Sequence, residues 1–155
     1  MPPLAVAEAL DVGQPSARVR TSIDSEADVA TLVDHGRRLA TALGFSPADV
    51  TVISTAILEV ARNVLRYAGH GDVLLHAVQK RGRVGLAVVA QDKGPGILDV
   101  SEAVRDGNGL GLASARRLMD EFRVRSVAGR GTTVTMRKWT RRRQVRHSVA
   151  ARAGR

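Results

Sequence analysis

The chain has 155 residues, the length of one ordinary domain, and its 44% hydrophobic content can fill a core although Phe, Trp and Tyr make up only 3%. It has no cysteine, which excludes a disulfide framework, a thiolate zinc site and cysteine nucleophiles, and no apolar run reaches the roughly 18 residues of a bilayer span. The net charge of +9 is concentrated at one end: arginines 141, 142, 143, 146, 152 and 155 fall in a stretch without an acid, and removing them leaves 18 basic against 15 acidic residues, or +3.

Met1 to Gln14 carries Glu8 and Asp11 but no Lys or Arg, so it does not read as a signal peptide, and a cytoplasmic protein is expected. Residues 1–17 read as a disordered leader rich in Pro, Ala and Gly. Residues 140–155 read as a basic disordered tail. The tail lacks aromatic interleaving and helical patterning, so a nucleic-acid role is not expected of it. The folded domain is expected over 18–139.

Arg18 to Asp24 alternates like an edge strand. Ser25 sits as an N-cap with Glu26 and Asp28 behind it, opening a helix with apolar positions Val29, Leu32, Val33, Leu39 and Leu43 that Gly44 stops. Ser46-Pro47-Ala48-Asp49 is a second helix start. Val50, Ile53, Ile57, Val60, Val64 and Ala68 continue it at steps of three and four, and Gly69 ends it. Two β-rich runs, 72–79 and 83–91, meet at Lys80-Arg81-Gly82, a hairpin signal. A short helix is expected over 98–105 and a longer one over 110–122. Strands 124–127 and 132–139 then flank Ala128-Gly129-Arg130-Gly131. This order predicts an α/β fold, a two-layer sandwich of a mixed β-sheet with helices on one face.

Three segments carry chemistry. Glu59 and Asn63 are four apart and share a helix face, where a carboxylate and an amide can orient a hydroxyl and offer an oxygen to Mg²⁺. Gln91-Asp92-Lys93-Gly94-Pro95-Gly96 follows a strand; its glycines let backbone approach a ligand, and the Asp92 carboxylate accepts from an amine such as that of adenine. Gly107-Asn108-Gly109-Leu110-Gly111-Leu112 runs into a helix, an arrangement that can bind phosphate. No Gly-Lys-Ser/Thr follows it, so it is not a P-loop, and it lacks the preceding strand of a dinucleotide fingerprint.

Glu-x-x-x-Asn, Asp-x-Gly-x-Gly, Gly-x-Gly-Leu and Gly131-Thr132-Thr133, in that order, resemble the Bergerat ATP-binding fold of the GHKL superfamily across residues from about 20 to 139. The resemblance implies ATP and Mg²⁺ as cofactors. By position, Asn63 would hold the metal and Glu59 would act as base or positioner. Asp92 would bind adenine with Thr132 or Thr133 in support, over a floor shaped by Gly94 and Gly96. Gly109, Leu110 and Gly111 would meet the phosphates. Arg62 reads equally as solvent-facing or nucleotide-facing, and Arg105 reads more readily as a solvated arginine than as a contact to the γ-phosphate. His35, in Val33-Asp34-His35-Gly36-Arg37, does not resemble a phospho-acceptor box.

A Bergerat domain of this length resembles the anti-sigma serine/threonine kinases. Thr55 to Asn63, Tyr67 to Gly71, Arg117 to Phe122 and Gly129 to Thr133 are similar to the RsbT type. That similarity implies a switch kinase that phosphorylates a Ser or Thr of a STAS-domain protein in a stressosome-like, sigma-factor pathway. A serine phosphatase, a sigma factor or a second copy of the chain are its further implied partners. The alternative is a nucleotide-gated binding module that controls a sigma factor or phosphatase without kinase activity.

Overall fold

The computed structural model describes residues 18–105 and 111–141. Strand β1 (Arg18–Ile23) is followed by helices α1 (Glu26–Ala42) and α2 (Pro47–Ala68). A hairpin of β2 (Gly71–Lys80) and β3 (Arg83–Asp92) comes next, then α3 (Val100–Ala103) and α4 (Leu112–Leu118). A second hairpin, β4 (Glu121–Val127) and β5 (Gly131–Trp139), completes the described fold.

Both long helices begin at serine caps. The Ser25 hydroxyl accepts from the Asp28 N–H at 3.3 Å, and the Asp28 carboxylate accepts in return from the Asp24 N–H at 2.8 Å. Ser46 accepts from the Asp49 N–H at 3.1 Å, with Pro47 at the first helical position. The buried stripe of α1 is Val29, Leu32, Gly36 and Ala40, while Val33, Leu39 and Leu43 lie at its partly buried margin. Gly36 lets α1 pack closely on α2, since a Cβ there would collide with Ile57.

The β2–β3 turn is Arg81-Gly82, both residues with positive φ (54° and 74°), which matches the twist of the flanking strands. The sheet order is β1-β2-β3-β5-β4, and every neighbouring pair is antiparallel. The mixed sheet expected from the element order is corrected here. The helical crossover after β3 does make β4 run parallel to β3, but β5 turns back and inserts between them. Two helices between β1 and β2 likewise return the chain antiparallel.

Ile23, Val73, Leu75, Leu86, Val88, Val134 and Met136 form the sheet's side of the core and pack against Leu32, Ile53, Ile57 and Val60. Among the described residues these helices cover one sheet face, as expected of a two-layer sandwich.

The helix expected over 110–122 spans only 112–118. Met119 is extended (φ −99°, ψ 156°), and the Asp120 N–H donates to the Arg137 carbonyl, which starts β4 against β5. Phe122 and Val124 therefore reach the core by strand alternation rather than helical spacing. The Glu121 carboxyl is opposed by its burial, yet hydrogen bonds from Trp139 and Arg137 hold it below the usual carboxylate range.

Ordered packing passes Trp139. Thr140 is buried, and its N–H and hydroxyl both donate to the Val84 carbonyl, at 2.8 and 2.9 Å. Arg141 reaches the buried Asp49 carboxylate at 3.4 Å. The first two residues of the expected tail thus belong to the domain; residues 142–155, like the leader 1–17, lie outside the described residues. No helix among the described residues is long and apolar enough to cross a membrane.

Candidate functional site

The site forms where α2, the end of β3 and the start of β5 converge. Helix α2 is apolar on the side that meets the sheet, which leaves Glu59, Asn63 and Tyr67, at steps of four, along its partly exposed edge. Asn63 and Tyr67 line a cavity of about 210 Å³ together with Asp92, Pro95, Gly96, Ile97 and Thr132. Its polar groups are few and its walls largely apolar or aromatic, the usual make-up of a small-molecule pocket.

Register builds the polar end. Gly71, Asp92, Thr132 and Ser126 stand side by side across four strands. The Gly94 N–H donates to Asp92 Oδ1 at 2.8 Å and fixes the carboxylate at the strand end. The Ser126 hydroxyl accepts from the Ile97 N–H at 2.6 Å and lies 2.9 Å from Thr132 Oγ1, so the loop after β3 is tied to the second hairpin.

The glycines here permit close approaches. A Cβ on Gly94 would come within 2.7 Å of the Ala68 Cβ. Gly96 has φ +80°, and a Cβ there would lie 2.5 Å from the Val127 carbonyl oxygen.

Glu59 lies one helical turn before Asn63, and its neighbour is Gly111, the N-cap residue of α4 (φ +75°). A side chain on Gly111 would collide with the Glu59 carboxylate. One edge of α2 thus joins Gly111, the residue that opens α4, to the Asp92 pocket. Gly109 and Leu110 lie outside the described residues.

The expected residues separate in two places. Thr132 is buried and lines the pocket, whereas Thr133, facing the opposite side of β5, pairs with Gln91 and Arg125 and is absent from the lining. Arg62 lines a different recess with Glu26, Leu65 and Arg66, and Arg105 is engaged by Glu102 at 3.1 Å in an exposed ion pair.

Sequence reasoning missed Tyr67, Pro95, Ile97 and Ser126. Tyr67 continues the Glu59/Asn63 spacing by one more step of four, and Ser126 faces Thr132 once the second hairpin is registered. The Tyr67 signal is local to the helix, whereas that of Ser126 appears only with the register of the second hairpin.

Residues 18–138 match the histidine kinase-like ATPase domain family. The serine/threonine-protein kinase RsbT of Bacillus subtilis (strain 168) is 43% identical over 125 residues, 77% of this chain and 94% of that protein. Among solved structures, one from the SiaB-SiaC complex of Pseudomonas aeruginosa matches with a TM-score of 0.51 at 13% identity, covering 90% of this chain and 98% of that one. The histidine kinase AdeS of Acinetobacter baumannii matches at 0.50 and 15% identity, covering 90% and 73%. At such identities these two structures show the fold alone. The GHKL resemblance carried by Glu59, Asn63, Asp92 and the glycine segments is borne out: the chain belongs to the histidine kinase-like ATPase domain family and is RsbT-like within it.

Proposed function

We propose that the protein is an ATP-dependent serine/threonine kinase that phosphorylates a STAS-domain protein in a partner-switching pathway. The observation that carries this reading is the placement of Glu59 against Gly111, one turn from Asn63 and the Asp92 pocket. A carboxylate at the glycine end and an acceptor at the pocket end suit the two ends of ATP. The name and 43% identity of the Bacillus subtilis relative support the choice of serine/threonine kinase.

The residues fit the nucleotide. Asp92, oriented by the Gly94 N–H, would accept from the adenine amine, and Thr132 would support it from the neighbouring strand. Tyr67, Pro95 and Ile97 would enclose the base. Among the described residues no group of three His, Cys, Asp or Glu could hold a metal by itself. That suits Mg²⁺, which takes one or two protein oxygens and completes its shell with phosphates and water. Asn63 would supply the amide oxygen. When bound, the metal neutralises charge on the phosphates.

Glu59 would accept the proton of the incoming Ser or Thr hydroxyl. As that proton leaves, the hydroxyl oxygen bonds to the γ-phosphorus, the bond to the bridging oxygen breaks, and ADP departs. Most of the catalysis expected of such a site is positioning. The test is transfer of labelled γ-phosphate from ATP to purified STAS-domain proteins of the same genome. Serine or threonine labelling of one of them is expected. Nucleotide binding with no transfer to any of them would leave the nucleotide-gated binding module in place of the kinase.

A further inference from the structure

Helix α2 has a second polar edge beside the catalytic one. Arg62 and Arg66 are both exposed and four residues apart, and with Glu26 and Leu65 they line an open recess of about 310 Å³. Like charges at this spacing destabilise a helix by about 0.2–0.5 kcal/mol. Arg66 falls in the last turn, where the helix dipole favours a cation, but Arg62 lies outside it. Among the described residues, Arg62 takes part in no ion pair. The Arg66 guanidinium sits 6.0 Å from the Tyr67 ring centre, so the ridge adjoins the pocket wall.

We propose that Arg62 and Arg66 form the docking ridge for the phospho-acceptor protein, and that they receive an acidic surface of it. The inference rests on the kinase reading and names the partner surface for that same site. An acceptor hydroxyl must come within hydrogen-bond reach of Glu59. A folded protein is too large to enter the pocket, so it has to lie over the exposed flank of α2 beside that carboxylate. Arg62 is three residues from Glu59, and Arg66 is seven, roughly two turns further along the same side. Carboxylates on the acceptor would pair with the Arg62 guanidinium and be drawn by the positive charge of Arg66 beside it. Glu26, across the recess, would turn acidic groups toward the arginine ridge, while Leu65 offers an apolar patch between them. The ridge therefore selects an acceptor by charge and sets its direction of approach without touching the nucleotide.

The experiment uses the full chain and a STAS-domain protein that the wild type phosphorylates. For Arg62→Glu/Arg66→Glu, the KM for the acceptor is expected to rise by about tenfold or more, with nucleotide affinity and folding preserved. The wild-type kcat/KM should fall steeply with added salt and that of the variant should not, because exposed charges are screened. Arg37→Glu/Arg38→Glu on α1 makes the same change in net charge elsewhere and should leave KM unaltered. An unchanged KM and salt dependence in the α2 variant, with an active wild type, would overturn the ridge and leave the kinase reading intact. A wild type that binds ATP but labels no acceptor would overturn both.

Discussion

Asp92 combines three observations: it ends β3, its carboxylate is oriented by the Gly94 N–H, and it lines the pocket next to Thr132. Asp92→Asn keeps the shape but can present an amide where adenine needs an acceptor. Selectivity for ATP over GTP is expected to fall by about 1–3 kcal/mol, the scale of a lost charge-assisted hydrogen bond. Calorimetry with both nucleotides measures it, and equal ATP and GTP affinities in the wild type would remove Asp92 from that role. Of the two threonines that sequence left as alternatives, only register singles out Thr132, because one step along a strand reverses the face. Ser126 was illegible for the same reason. Its partner, Thr132, lies six residues on, and only the hairpin turn brings the two hydroxyls to 2.9 Å.

Among the elements, the two long helices were legible because their signals are local. Serine caps, Pro47 and the glycines after each end all act within a few residues. The first hairpin was equally plain in Arg81-Gly82. The helix expected over 110–122 ends early because Phe122 is an apolar residue that a strand can place in the core as readily as a helix, and only pairing with β5 decides between them.

Close packing of α1 on α2 yields a prediction that the apolar stripe alone would not. Gly36→Val puts a branched side chain where a Cβ already collides with Ile57. A loss of about 1–3 kcal/mol is expected in denaturant unfolding, the range for overpacking a core. An unchanged midpoint would mean that the two helices can separate freely. The end of β5 gives another. A chain ended at residue 141 should be more stable than one ended at 139 by about 1–3 kcal/mol, mainly through the two bonds from Thr140 to the Val84 carbonyl. Equal thermal midpoints would place the domain boundary back at Trp139.

Across the whole molecule, strand order is the feature that local patterns hid. The insertion of β5 between β3 and β4 sets Thr132 beside Asp92 and turns an apparently mixed sheet antiparallel. The motifs themselves were legible because their order along the chain is a long-range signal in its own right. Glu59 and Asn63 of α2, Asp92 at the end of β3 and Gly111 ahead of α4 come from three separate segments, and the fold gathers them along one edge of α2.

The central claim is that this edge divides two tasks, with Asn63 holding metal-bound nucleotide and Glu59 handling the acceptor hydroxyl. Transfer of labelled phosphate to a STAS-domain acceptor, measured beside Mg-ATP affinity for wild type, Glu59→Ala and Asn63→Ala, tests it most directly. Glu59→Ala is expected to bind Mg-ATP nearly as well as wild type while transfer drops by about 10²-fold or more, and Asn63→Ala to lose metal-dependent binding and transfer together. Undiminished transfer by Glu59→Ala, or equal loss of nucleotide binding in both variants, would contradict the account.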